Sequence, residues 1–124
     1  MARLFLKWSV LLVGVIALAL LAARPTHVRA AQRVSLRAGS LLVRRGMPIR
    51  LAGAVAPRTA SRVRVQLLTA GGWRTVATPR PGLRGGYSAV VVPGIRGRYL
   101  FRTVAPATAR NGAGISGAIA VRVR

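Results

Sequence analysis

Residues 62–77 read Arg-Val-Arg-Val-Gln-Leu-Leu-Thr-Ala-Gly-Gly-Trp-Arg-Thr-Val-Ala, and this stretch decides the fold. Val63, Val65 and Leu67 alternate with polar side chains, which is the period of a strand with one buried face. A Gly71-Gly72 turn follows, because glycine accepts the positive φ that tight hairpin turns require. A tryptophan then opens a second strand. The stretch therefore predicts an antiparallel β-hairpin at the centre of an all-β domain.

Similar short alternating runs lie on both sides of this hairpin, and no helical period follows residue 23. The stretches at 79–86 and 106–117 are rich in proline and glycine and are predicted to be loops. About seven short strands with turns between them predict an antiparallel immunoglobulin-like β-sandwich, with a small barrel as the alternative. The runs predicted to be strands are 33–37, 49–55, 62–68, 73–78, 87–92, 98–104 and 119–123, and residues 41–43 are a short apolar piece between the first two.

The first thirty residues have the pattern of a secretory signal peptide. Arg3 and Lys7 precede an unbroken apolar run over residues 8–23, which is shorter than the ~20 residues that cross a bilayer. We predict a signal peptide at 1–30, cleaved between Ala30 and Ala31, followed by a sandwich domain at 31–124. The alternative is an uncleaved membrane anchor formed by residues 8–23.

The composition predicts a folded domain with a strongly positive surface. The 124 residues include 21 Lys and Arg and no Asp or Glu, so the formal net charge is +21. Apolar residues make up 52% of the chain, which is too many for a disordered polycation. Such a surface favours polyanionic partners.

The residue inventory of segment 31–124 argues against catalysis. The segment contains no Asp, Glu, His, Cys or Lys, since His27 and Lys7 precede it. It therefore has no paired carboxylates, no serine with a histidine base, and no carboxylate or thiolate ligand for a metal. No glycine-rich phosphate loop precedes a helix either. We predict a non-enzymatic protein that uses no cofactor and no metal.

Arginines alternate with apolar residues along the predicted strands, so the simplest interpretation of each is a solvated sheet face. A solvated face normally mixes both signs of charge, whereas this sequence offers no carboxylate side chain. Guanidinium groups suit phosphate and sulfate oxygens. The residues predicted to bind an anionic surface are Arg62 and Arg64 on one strand and Arg98 and Arg102 on another. Sequence-specific nucleic-acid binding is not predicted, because there is no reading helix and no aromatic–basic interleaving.

Four aromatic residues are predicted to be structural. Trp73 is expected to pack at its strand start and to cover one end of the core, the alternative being an exposed platform for a sugar. Tyr99 is expected to lie in the core, with its hydroxyl bonded to backbone near a strand corner. Tyr87 and Phe101 are predicted to be core residues.

Short motifs follow one another in a fixed order along residues 31–124. They are Gly53-x-Val55-x-Pro57, Val63-x-Val65-Gln66, Gly72-Trp73-x-Thr75-Val76, Gly86-Tyr87-Ser88, Gly97-x-Tyr99-x-Phe101-Arg102 and Gly114-x-Ser116. Together they resemble the immunoglobulin-like and fibronectin type III-like β-sandwich modules of secreted and surface proteins of high-GC Gram-positive bacteria. The resemblance implies a non-catalytic binding, spacer or adhesion unit and assigns no catalytic residue. One departure is the turn at 82–85, where those modules commonly have Asp or Asn.

The leading hypothesis is a secreted, non-enzymatic binding or structural module at the cell envelope, attached to an anionic cell-wall polymer or membrane surface. The alternative is an exported cationic effector that injures anionic membranes, which predicts dye leakage from vesicles. The absence of an amphipathic helix from the sequence pattern argues against that alternative. A third hypothesis is that a GC-rich frame of this composition is not expressed, and detection of its peptides by mass spectrometry tests it.

Overall fold

A computed structural model of the chain describes residues 29–124. The predicted anchor at 8–23, and all but the last two residues of the predicted signal peptide at 1–30, lie outside the described residues, so both stay predictions. One compact unit spans Ala31–Arg124 and contains every strand and the whole buried core of the described residues. A unit with its own closed core can fold independently. Within residues 29–124 there is no helix with the length and apolarity that a bilayer crossing needs.

The described chain is all β, as predicted. Seven strands have five or more residues, which matches the prediction of about seven, and two further strands have two residues each. The strands are β1 (Arg33–Ala38), β2 (Leu42–Val43), β3 (Ile49–Ala56), β4 (Arg64–Thr69), β5 (Gly72–Ala77), β6 (Gly86–Val91), β7 (Gly97–Ala105), β8 (Gly114–Ile115) and β9 (Ile119–Val123). The short strand β8 lies in a stretch that was predicted to be wholly irregular.

The strands form two sheets that share no strand pairing within the described residues. The smaller sheet has the order β1-β3-β6, and the larger has the order β2-β9-β7-β4-β5 with β8 added beside β7. All pairings are antiparallel except that between β2 and β9. The chain changes sheet from β1 to β2, from β2 to β3, from β3 to β4, from β5 to β6 and from β6 to β7, which gives the Greek-key order of immunoglobulin-like sandwiches. The two separate sheets support the sandwich over the barrel.

The central hairpin is formed by β4 and β5, with its turn one residue earlier than predicted. The turn residues are Ala70 and Gly71, whereas Gly72 belongs to β5 and pairs with Thr69. Gly72 has a φ of 104°, and the Thr69 hydroxyl donates to its carbonyl at 2.8 Å. Strand β4 begins at Arg64 rather than at residue 62. The prediction placed Gly72 in the turn because glycine accepts a positive φ. Gly72 does have a positive φ, but it is the first residue of β5.

The core lies between the two sheets and contains Tyr87 and Phe101, as predicted, with Tyr99 partly buried against it. Phe101 is fully buried, and Tyr99 packs against it with the ring centroids 6.3 Å apart. The Tyr99 hydroxyl donates to the carbonyl of Ile95 at 2.7 Å, which confirms the predicted bond near a strand corner. The buried core residues are Ile49, Leu51, Val55, Val63, Val65, Tyr87, Phe101, Ala105, Val121 and Val123.

Tyr87 joins the two sheets through its hydroxyl. This group donates to the Ser35 carbonyl at 2.6 Å and shares a 2.9 Å hydrogen bond with the hydroxyl of Thr103. Thr103 is itself fully buried, and its N–H donates to Ser116 Oγ at 2.8 Å. Tyr87→Phe is therefore expected to lower the free energy of unfolding by about 1–2 kcal/mol, because the partners stay buried without the hydroxyl. Urea denaturation of the two proteins measures the difference.

The same substitution is expected to change the response to alkaline pH. Burial raises the pKa of Tyr87 above its ordinary value of 10.0, while the hydrogen bond to Thr103 and the charge of Arg37 act in the opposite direction. The fold thus favours the neutral phenol, so this contribution is complete below about pH 10 and is lost as pH rises through the folded pKa. Tyr87→Phe should lose less stability than the wild type above pH 10. Identical alkaline slopes for the two proteins would refute this.

Candidate anion-binding site

The outer face of the larger sheet carries three of the four arginines predicted to bind anions. Arg64 projects from β4, and Arg98 and Arg102 project from β7, each alternating with buried or half-buried neighbours. The two strands are paired, with Arg64 opposite Val104. The two stripes that the sequence suggested separately are therefore parts of one face.

Arg62, the fourth predicted residue, precedes β4. Its Nη1 donates to the carbonyl oxygen of Thr78 at 2.9 Å, just after β5. This hydrogen bond links the two ends of the hairpin, so part of the guanidinium's donor capacity is used inside the protein. Arg62 contributes charge to the site but less free hydrogen-bonding capacity than its neighbours on the sheet.

Arg102 is held in a defined orientation by two neighbours. Its Cζ lies 4.3 Å from the centroid of the Trp73 ring, a cation–π geometry, and its Nε donates to Gln66 Oε1 at 2.9 Å. Gln66 is fixed in turn by donating to the Thr75 hydroxyl at 3.3 Å. Within residues 29–124 the Nη1 and Nη2 groups of Arg102 have no hydrogen-bond acceptor. These N–H groups remain available to an anion, with the side chain already ordered.

The position of Trp73 differs from the prediction that it covers one end of the core. The β4–β5 register sets Trp73 opposite Leu68, an exposed residue on the outer face, whereas Val65 faces inward. Trp73 is half-buried beneath Arg102 and is not part of the core. The prediction is wrong because the β4–β5 register, and not the size of the ring, decides on which face of the larger sheet Trp73 lies. The Trp73 ring instead packs against the guanidinium group of Arg102.

Arginines are concentrated at one end of the larger sheet, and sequence analysis selected only Arg98 among them. Four of them line an open depression of about 610 Å³. Two more arginines, Arg98 on β7 and Arg122 on β9, are paired with each other. Each lies two residues along the chain from an arginine of the depression. We call this group of six the arginine end; its members are Arg44, Arg45, Arg96, Arg98, Arg122 and Arg124.

Backbone hydrogen bonds bring the segments of the arginine end together. The N–H of Arg45 donates to the carbonyl of Arg124 at 2.7 Å, and the N–H of Arg124 donates to the carbonyl of Val43 at 3.0 Å. The N–H of Gly46 donates to the carbonyl of Pro93 at 2.8 Å, which joins the β2–β3 loop to the β6–β7 turn. The cluster thus rests on a hydrogen-bonded backbone rather than on free loops.

The electrostatics of the arginine end favour an external anion. All six side chains are exposed, and no Asp or Glu occurs anywhere in the sequence to pair with them. Their mutual repulsion is screened only beyond a Debye length of ~8 Å at physiological salt. Guanidinium forks bind phosphate, sulfate and carboxylate oxygens in a bidentate manner. In residues 29–124 no group of His, Cys, Asp or Glu side chains could hold a metal ion.

Arg122→Gln is expected to raise the free energy of unfolding by about 0.5 kcal/mol at low salt, because like charges directly across two strands destabilise a sheet. Arg98 and Arg122 form such a pair. The gain should shrink as salt screens the pair. Arg64→Gln is the matched control, since Arg64 faces Val104. Urea denaturation at two salt concentrations measures both; equal effects of the two substitutions at low salt would refute the repulsion.

Comparison with known proteins assigns this chain to no family. No family model matches this sequence, and no curated protein is significantly similar to it. A similar solved structure is the CARDB domain of a Pyrococcus furiosus protein, crystallised in complex with di-metal ions. The TM-score is 0.46 at 12% sequence identity, covering 74% of this chain and 91% of that domain. Any function of this chain therefore has to be inferred from its own residues.

Proposed function

We propose that residues 31–124 form a non-enzymatic binding module that is exported and attaches to anionic polymers or surfaces of the cell envelope. The observation that supports this most strongly is the convergence of six guanidinium groups at the arginine end in a chain without an acidic side chain. Export rests on the signal-peptide pattern of residues 1–30. The absence of carboxylate, thiol and imidazole groups from segment 31–124 supports a binding role rather than catalysis.

The module would attach through several weak ionic contacts distributed along one face of the larger sheet. The arginine end presents its guanidinium groups around one depression, and the ordered Arg102 lies further along the same face. Arg98 and Arg102 are four residues apart on β7, which corresponds to roughly 13 Å along an extended strand. A polymer with repeated phosphate or carboxylate groups can bridge such positions. Each contact releases counterions, so affinity depends steeply on salt.

A membrane-injuring effector is the competing function. The described residues are organised as two sheets with a closed core, which favours docking without disruption of the bilayer. Dye release from anionic vesicles separates the two functions. The binding module is expected to attach without releasing dye, whereas an effector releases dye at concentrations where it binds.

The test of the proposed function is retention on isolated cell envelopes across a salt series. The logarithm of the binding constant is expected to fall linearly with the logarithm of salt concentration, because guanidinium–anion contacts release counterions. Added polyphosphate should compete for binding at low salt. Retention that is unchanged at high salt would rule out electrostatic attachment.

A further inference from the structure

Several exposed apolar side chains lie at the same end of the sandwich as the arginines. Met47 in the β2–β3 loop is 54% exposed, and Val92 and Ile95 in the β6–β7 turn are 62% and 74% exposed. The two loops are hydrogen-bonded to each other through Gly46 and Pro93, so their exposed apolar side chains are neighbours, and neighbouring exposed apolar side chains can form an interaction surface. Leu41 and Leu42 are also exposed and lie beside Arg122, since Leu42 pairs with Arg122 and the Arg122 N–H donates to the carbonyl of Leu41 at 2.8 Å.

The two loops that carry these side chains are supported from beneath. The Tyr99 hydroxyl donates to the carbonyl of Ile95 at 2.7 Å, and the Gly46 N–H donates to the carbonyl of Pro93 at 2.8 Å. The Ile95 and Met47 side chains are nevertheless exposed over more than half of their surface. An apolar tip held on an ordered backbone loses little conformational entropy when it is buried in a partner.

The chemistry of the surface selects among partners. Arg44, Arg45, Arg96 and Arg124 surround the depression next to these loops. A hydrophilic polyanion would bind the guanidinium groups but leave the apolar tips in water. An anionic bilayer accepts both, because its phosphates bind arginine while the boundary of its acyl chains takes up apolar side chains. The long arginine side chains can also reach the headgroups from a partly inserted surface.

We propose that the arginine end is a lipid-docking surface, in which Met47, Val92 and Ile95 insert into the interface of an anionic phospholipid bilayer while the arginines bind headgroup phosphates. This inference rests on the proposed attachment to an anionic surface and assigns the surface to lipid. Removing one arginine should weaken vesicle binding about fivefold. Removing two inserted apolar side chains should weaken it about thirtyfold if half of their transfer free energy is realised.

The test uses residues 31–124, the unit that contains the whole core, with two kinds of vesicle and a soluble anion. Sedimentation measures binding to phosphatidylcholine vesicles with and without phosphatidylglycerol, and polyphosphate serves as the soluble anion. The variant combines Met47→Ser with Ile95→Ser. Leu83→Ser is the control, because Leu83 is 93% exposed and lies in the β5–β6 loop at the opposite end. The variant should lose vesicle binding and keep polyphosphate binding, while the control keeps both.

Insertion itself can be followed with a single fluorescent label, since the sequence has no cysteine. Ile95→Cys carrying an environment-sensitive dye should shift to shorter wavelength on phosphatidylglycerol vesicles, whereas Leu83→Cys should not. If the Ile95 label does not shift and the serine variant binds vesicles like the wild type, lipid docking is wrong. Polyphosphate and envelope binding would then persist and leave the proposed function standing. If the wild-type module binds neither phosphatidylglycerol vesicles, nor polyphosphate, nor envelopes at low salt, then both lipid docking and the proposed function are wrong.

Discussion

Replacing Arg44, Arg45, Arg96 and Arg124 by glutamine is expected to weaken binding of the module to polyphosphate about a hundredfold at low salt. These four residues line the depression at the arginine end. An exposed ionic contact contributes up to about 1 kcal/mol, and four contacts at roughly 0.7 kcal/mol each give close to a factor of 100. Fluorescence titration of the wild type and the variant measures the two dissociation constants. Both proteins should unfold cooperatively, because all four side chains are exposed.

A second variant with the same net charge distinguishes binding at the arginine end from binding through the overall positive charge of the module. Glutamine at Arg58, Arg80, Arg84 and Arg110 removes the same four charges from the opposite end of the sandwich, where Arg58 and Arg110 line a separate depression. This control should lose only the smaller, long-range part of the attraction, which salt screens. Equal loss of affinity in the two variants would mean that net charge alone drives binding and that the arginine end is not a site.

Gly53→Ala is expected to lower the free energy of unfolding by about 3 kcal/mol. Gly53 lies in the middle of β3, paired with Leu36 on one side and Tyr87 on the other. A Cβ at this position would overlap the carbonyl oxygen of Ser35 and lie 2.5 Å from the Tyr87 hydroxyl. The methyl group would therefore push apart β1 and β3 and break the hydrogen bond that joins Tyr87 to Ser35.

Gly117→Ala is the matched control for this substitution. No atom lies within 4 Å of a Cβ built at Gly117, and its φ is not in the left-handed region. This change should be neutral or slightly stabilising, because alanine restricts the unfolded chain. Urea denaturation measures both variants; a Gly53→Ala protein as stable as Gly117→Ala would show that the approach of β1 to β3 is not as close as described.

The parts of the fold that follow from local alternation could be predicted from the sequence. Val63 and Val65 are buried and Arg64 is exposed, as the period of two requires. Tyr99 bonds to the backbone four residues before it, which short-range chain geometry allows. Such features depend on neighbours within a few residues, so no knowledge of sheet order was needed.

Features that depend on strand register were predicted less well. The hairpin turn lies one residue earlier than predicted, so Thr69 pairs with Gly72. Trp73 consequently pairs with Leu68 on the outer face. The size of the tryptophan suggested the core, but the pairing decided the side. The need for glycine at position 53 also depends on pairing, because it arises from Ser35 and Tyr87 on the two adjacent strands.

The arginine end depends on topology and could not be predicted from the sequence. Arg44, Arg96 and Arg124 are distant in the chain and meet because β2 lies parallel to β9 and β7 lies antiparallel to it. The only local sign was the spacing of two that repeats in Arg96 with Arg98 and in Arg122 with Arg124. Alternation alone could not show that these pairs lie side by side.

The most direct test of the account is to map amide chemical shifts of isotope-labelled residues 31–124 during titration with short polyphosphate. The perturbed amides should fall in residues 44–46, 95–98 and 122–124, around the depression that four arginines line. The effect should vanish at high salt, since the contacts are ionic. Shifts spread evenly over both sheets, or centred on Arg58 and Arg110, would contradict the assignment of anion binding to the arginine end.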